Sequence, residues 1–237
     1  MGMKEPSQFD FWYAVHNTRV VVMPSRRLET FGATMLNYHL ISELMDSVNK
    51  VRVREGRVQA QRPQIVTPAS FASGLLEGFG QEAERYADWL RSNAQDLRIL
   101  QYGFVIKKEE LSEQVISDPL DTVVDRVAKE VQSKDDPLAA VIVGVEAPWE
   151  VCLIKTMVEV SGRSFPGNVR ELERRHMFEE QNGLPRAVRD EIEGDFRAAE
   201  KDRSRLDELG RSLQRRGVFE EYEDRFFALV KSGHRKK

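Results

Sequence analysis

The sequence predicts an α+β protein: a small mixed β-sheet with packed helices, β-rich in its first third, followed by a charged helical hairpin. Three observations carry that prediction. Residues 9–66 hold short β-branched and alternating runs, residues 67–165 intersperse apolar strands with amphipathic helical stretches, and residues 168–237 repeat apolar positions at helical spacing. The expected division is a core of 9–165, α/β-like from 67 onward, and an extension of 168–237.

In the first segment, Arg19-Val20-Val21-Val22-Met23 is a β-branched run stopped by Pro24. Leu36, Tyr38, Leu40, Ser42 and Leu44 alternate with more polar neighbours, as a half-buried strand does. Val51 to Ala60 alternates into Glu55-Gly56 and out again, the pattern of a β-hairpin with a two-residue turn. Pairing Arg54 with Arg57 across that turn places Val51, Val53, Val58 and Ala60 on one face. Arg52, Arg54, Arg57, Gln59 and Gln61 then share the other. Like charges crowded on one face cost stability, so an anion is expected over it.

Thr67-Pro68 reads as a helix start, with Phe71, Leu75, Phe79, Ala83, Tyr86 and Leu90 as the apolar stripe to about Asn93. Leu97 to Ile106 and Leu111 to Ile116 read as two strands. Asp118-Pro119 opens a helix striped by Leu120, Val123, Val124, Val127 and Val131, with Asp118 and Asp121 in the positions of a capping box. Leu138 to Val145 is continuously apolar, like a strand covered on both faces, and Pro148 opens another helix. This order implies a βαβ crossover. Gly162 to Gly167, with Pro166, marks the boundary. Beyond it the spacing predicts helices over Asn168–Gln181, then a long one carrying Val188 to Leu213 and stopping near Gly217, then one carrying Phe219 to Val230. Arg203 interrupts the long stripe and argues against a coiled coil.

No apolar run approaches the roughly 18–20 residues that cross a bilayer, and the polar start lacks the apolar stretch of a signal peptide. A lone cysteine, Cys152, precludes an internal disulfide. The expectation is a cytoplasmic protein without membrane contact. Net charge is −3 but uneven: +3 over 1–66, −7 over 67–166 and +1 over 167–237. The acidic middle could therefore neutralise the basic first third.

The candidate anion-binding residues are Arg26, Arg27, Arg52, Arg54, Arg57 and Arg62, with Tyr38 and His39 as stacking rings. Arginine interleaved with aromatics suits single-stranded RNA, and an acidic protein surface suits the same cations. Self-association is expected through 184–232. The alternative is an enzyme that clamps a phosphorylated or carboxylated small molecule, with His39, Glu43 or Glu146 as acid–base groups. Of these, Glu146 precedes a helix, where an acidic residue also serves the helix dipole. Only His16 could join His39, Glu43 and Asp46 as a zinc ligand, so a polar sheet face carrying one histidine is the better reading; Gly74, Gly78 and Gly80 match no phosphate loop, and no metal or cofactor is expected. Residues Arg27 to Gly32, Val53 to Arg57, Arg62-Pro63 and Gly217 to Phe226 together resemble a group of bacterial proteins with no assigned function. That resemblance implies no activity and no site residue.

Overall fold

The computed structural model describes residues 8–45, 49–67, 100–181 and 183–232. The helix expected over Phe71–Asn93, its three glycines and Asp46 lie outside them. Contacts divide the described residues into two compact units, one drawn from 1–63 and 102–171, the other from 64–101 and 172–237.

The first unit opens with α1 (Gln8–His16) and is built on a mixed five-stranded sheet of order β1-β7-β2-β3-β6. Its strands are β1 (Arg19–Val22), β2 (Thr34–Glu43), β3 (Val51–Ala60), β6 (Phe104–Ile116) and β7 (Ala139–Gly144). β2 pairs antiparallel with β3, and β3 antiparallel with β6, whereas β7 runs parallel to β2. Hence β6 and β7 point the same way with two strands between them, and α2 (Leu120–Ser133) makes the crossover. The side-chain period of two sorts the sheet cleanly. Ile41, Val51, Val53, Ala139 and Val141 pack with the valine stripe of α2. Leu36, Tyr38, Leu40, Val58, Ala60, Ala140 and Ile142 pack on the other face with α3 (Trp149–Arg174).

Several expectations fail for identifiable reasons. Val51–Ala60 is one unbroken strand and not a hairpin. Gly56 sits opposite Tyr38, where an added Cβ would lie 2.7 Å from the phenol oxygen and 2.9 Å from Cζ. The glycine serves a close approach instead of a turn. Asp118 does not cap α2; it pairs with Arg126 at 3.2 Å, and Pro119 occupies the cap position. α3 runs straight through Gly162–Gly167. Pro166 leaves one carbonyl without an intrahelical partner, that of exposed Gly162, which water can serve. The helix ends where His176 turns left-handed (φ 59°) and Met177 N–H closes on the Leu172 carbonyl at 2.9 Å, so Asn168–Gln181 is not a helix of its own.

In the second unit, β4 (Gln64–Ile65) pairs with β5 (Leu100–Gln101), and β8 (Glu180–Gln181) with β9 (Leu184–Pro185). Three helices follow: α4 (Arg186–Lys201), α5 (Leu206–Arg215) and α6 (Phe219–Ser232). The single long helix expected here is broken at Asp202, whose carboxylate accepts from Ser204 N–H at 3.1 Å and so competes with helix continuation. The core is Val188, Ile192, Phe196 and Ala199 against Leu209, Leu213 and Val218. Gly217 (φ 68°) makes the stop that the sequence implies. Among the described residues, no helix is long and apolar enough to cross a membrane.

Candidate functional site

Continuous alternation through β3 sends the arginines to opposite faces. Arg52 and Arg54 stand with Val58 and Ala60 on the α3 side, and Arg57 stands with Val51 and Val53 on the α2 side. Two separate constellations result.

The first is an ion cluster built around one buried arginine. Arg54 is 3% exposed. Its Nε donates to Glu113 Oε1 at 2.9 Å, its Nη2 to Glu146 Oε1 at 2.9 Å, and its Nη1 to Glu146 Oε2 at 3.1 Å and Ser42 Oγ at 3.2 Å. Ser42 Oγ in turn donates to Glu146 Oε2 at 2.8 Å. Arg52 Nη1 meets Glu146 Oε1 at 2.6 Å and Glu113 Oε2 at 3.7 Å. The Arg54 guanidinium also lies over the Trp149 ring, 5.3 Å from its centroid. Two cations and two carboxylates cancel. The cluster ties β2, β3 and β6 to the loop that leads into α3.

Tyr38 is buried beside this cluster, and its hydroxyl finds no partner among the described residues. Burial pushes its phenol above the ordinary tyrosine range, Arg54 opposes that, and Glu113 and Glu150 reinforce it. It is therefore a neutral donor without an acceptor among the described residues. Tyr38→Phe should stabilise the protein by about 1 kcal/mol, because an unsatisfied buried hydroxyl carries its full desolvation cost. A urea midpoint that falls in this variant would contradict the assignment.

The second constellation is the part of the α2-side face that α2 leaves uncovered. Register places Met35, Gln59 and Val105 in one row across β2, β3 and β6, with Asn37, Arg57 and Lys107 in the next and His39, Glu55 and Ser112 in the third. Arg57 and Val105 are exposed, and the Arg57 side chain, 53% accessible, reaches Glu110 at 3.1 Å. His39 Nδ1 lies 3.1 Å from Glu55 Oε1, and Asn37 donates to Asp136 at 2.6 Å.

No family model, curated protein or solved structure matches this chain.

The geometry thus separates what the sequence groups together. Tyr38 and His39 are consecutive on β2 and point to opposite faces, and Tyr38 has no open ring face. His39 and Glu43 lie on the α2 side and Glu146 on the other, so one substrate cannot meet them all. Arg26 pairs with Glu29, and Arg27 with Glu171 at 2.7 Å, while Arg62 lies beyond β3. Cys152 is buried with its sulfur 3.5 Å from Val145 N–H, a core position. Among the described residues, no group of three His, Cys, Asp or Glu could hold a metal. Sequence reading passed over Glu113 and Lys107. Their signal is the dense run of charges Lys107-Lys108-Glu109-Glu110 with Glu113 beyond it, which is readable only once β6 is known to lie beside β3.

Proposed function

We propose that this chain is a binding protein, not a catalyst, and that it takes an acidic segment of a partner protein on the open face of β2, β3 and β6. The observation that carries this reading is the cross-strand pairing of Arg57 with Lys107. Like charges directly opposite one another destabilise a sheet, and Glu110 offsets only part of that cost. An anion over the pair completes the compensation, and the neighbouring Gln59 amide supplies an uncharged hydrogen-bonding group beside it. Arg52 and Arg54, saturated by Glu113 and Glu146, have no comparable demand.

An acidic peptide suits this face better than RNA does. Sequence-tolerant RNA binding draws on base stacking, and Tyr38 offers no ring surface to a base.

The test uses fluorescence anisotropy with a labelled ten-residue polyglutamate peptide and a labelled oligouridylate, each at low and high salt. The peptide should bind with salt-sensitive affinity, and Arg57→Glu with Lys107→Glu should weaken it at least about tenfold. Arg205→Glu, in the second unit, should leave it unchanged. Equal binding by the double variant would refute the site. Preference for oligouridylate would replace the peptide reading with the RNA one.

A further inference from the structure

Beside the row of Arg57 and Lys107, the third row of the open face carries a histidine against an acid. His39 Nδ1 meets Glu55 Oε1 at 3.1 Å, and with side chains 18% and 44% accessible both groups are within reach of solvent. Glu55 and Arg57 stand two apart on β3, so they share this face about 6.8 Å from one another along the strand. Physiological salt screens a charge over roughly 8 Å, which is farther than that. An anion lying over Arg57 and Lys107 therefore senses the charge of the third row.

The surroundings of His39 are mixed. From β3 come Glu55 directly opposite and Arg57 on the diagonal. From α2 come Glu130 and Lys134, paired with each other at 2.7 Å, close enough for Glu130 to sense His39 and for Lys134 to sense Glu55. On β7 the residue opposite is the uncharged Val141, and β6 adds Ser112 to the row. On β2 itself Glu43 is exposed four residues away, and Asn37 holds Asp136 at 2.6 Å. Glu130 and Lys134 cancel, which leaves Glu55 as the charged group in direct contact with the imidazole.

Imidazole is the side chain that ordinarily exchanges its proton between pH 5 and 8. While it is neutral, the His39–Glu55 pair carries one negative charge beside the two cations, and that charge repels an acidic ligand. Once it is protonated, the pair is neutral and the repulsion is gone. Acidification through this range thus strengthens binding of an acidic ligand, and by linkage the ligand draws a proton onto His39.

We infer, building on the reading of this face as the site of an acidic segment, that the site is proton-regulated: the segment binds Arg57 and Lys107 more tightly when His39 is protonated and Glu55 thereby neutralised. Removing one unit charge at that separation changes affinity about threefold at low salt.

The probe is a labelled ten-residue polyaspartate peptide, whose carboxyls ordinarily titrate near about 3.9 and so stay ionised. Fluorescence anisotropy at low salt should show wild-type affinity rising about threefold or more from about pH 8 to about pH 5.5. Calorimetry in buffers of different ionisation enthalpy should record proton uptake on binding near about pH 6.5. His39→Asn should bind without the rise and without the uptake. Glu55→Gln should bind more tightly than wild type at about pH 8, because the repelling carboxylate is gone. Binding that Arg57→Glu with Lys107→Glu abolishes, yet that is flat with pH or takes up no proton, would overturn the proton link and leave the site standing. A rise undiminished in His39→Asn would overturn the link as well. No binding at any pH would overturn the site and the link together.

Discussion

Arg54→Ala is expected to destabilise the first unit by about 1–3 kcal/mol, because a buried guanidinium that bonds two partly accessible carboxylates is lost. The cost does not measure what the pair adds to stability. It arises because Glu146 and Glu113 are positioned to receive a guanidinium and lose it together. Glu146 would retain Ser42 and Arg52, so its charge is not wholly orphaned, which places the expectation toward the lower end. Arg52→Ala should cost clearly less, since that side chain is 29% accessible and water can replace it. Urea denaturation followed by tryptophan fluorescence reads this, because Trp149 stacks on Arg54 and reports the cluster directly. A loss below about 1 kcal/mol would mean that the carboxylates rehydrate freely on removal of the cation.

Gly56→Ala should cost about 1–3 kcal/mol through overpacking. The methyl would meet the Tyr38 oxygen at 2.7 Å and Cζ at 2.9 Å, both closer than real contacts allow, and Cε1 at a tight 3.1 Å. The ring is fully enclosed, so it cannot swing out to solvent as a surface side chain would. Tyr38→Leu should relieve the clash, and the pair of changes should therefore be less destabilising than the sum of the two alone. Strict additivity in equilibrium unfolding would show that Gly56 and Tyr38 are not in the contact described.

These two residues also explain where the sequence could be read and where it could not. The valine stripe of Leu120–Ser133 and the apolar run of β7 were legible because burial imposes their periods directly. The same alternation gave the strand character of β3, but Glu-Gly between apolar runs has the composition of a hairpin turn as well as of a strand making room for a ring. Only the identity of the residue across the pair, Tyr38, distinguishes the two. One misplaced turn then exchanged the faces of every residue after it, which is why Arg57 was grouped with Arg52 and Arg54. The internal pairing was legible as a charge imbalance, −7 in the middle against +3 in the first third. Its partners were not, because Glu113 and Glu146 are 59 and 92 residues from Arg54 in the chain. Pro166 misled for a related reason: its helix-breaking effect is local, and an exposed carbonyl on the solvent side removes it.

Strand β6 closes one side of the sheet with thirteen residues, long enough to template another strand along its outer edge. Opposite Gly56, however, the register jumps from Lys107 to Ser112, so that Lys108 to Leu111 stand against a single residue of β3. Such an excursion bends the strand and breaks the row of N–H and C=O groups along its outer edge, unpaired among the described strands, into two short stretches. Lys108, Glu109 and Glu110 are all exposed there, and each would lose hydration if a foreign strand were to add. The edge is thereby protected against amyloid-like growth, and a protein stored at high concentration has one route fewer to irreversible aggregation.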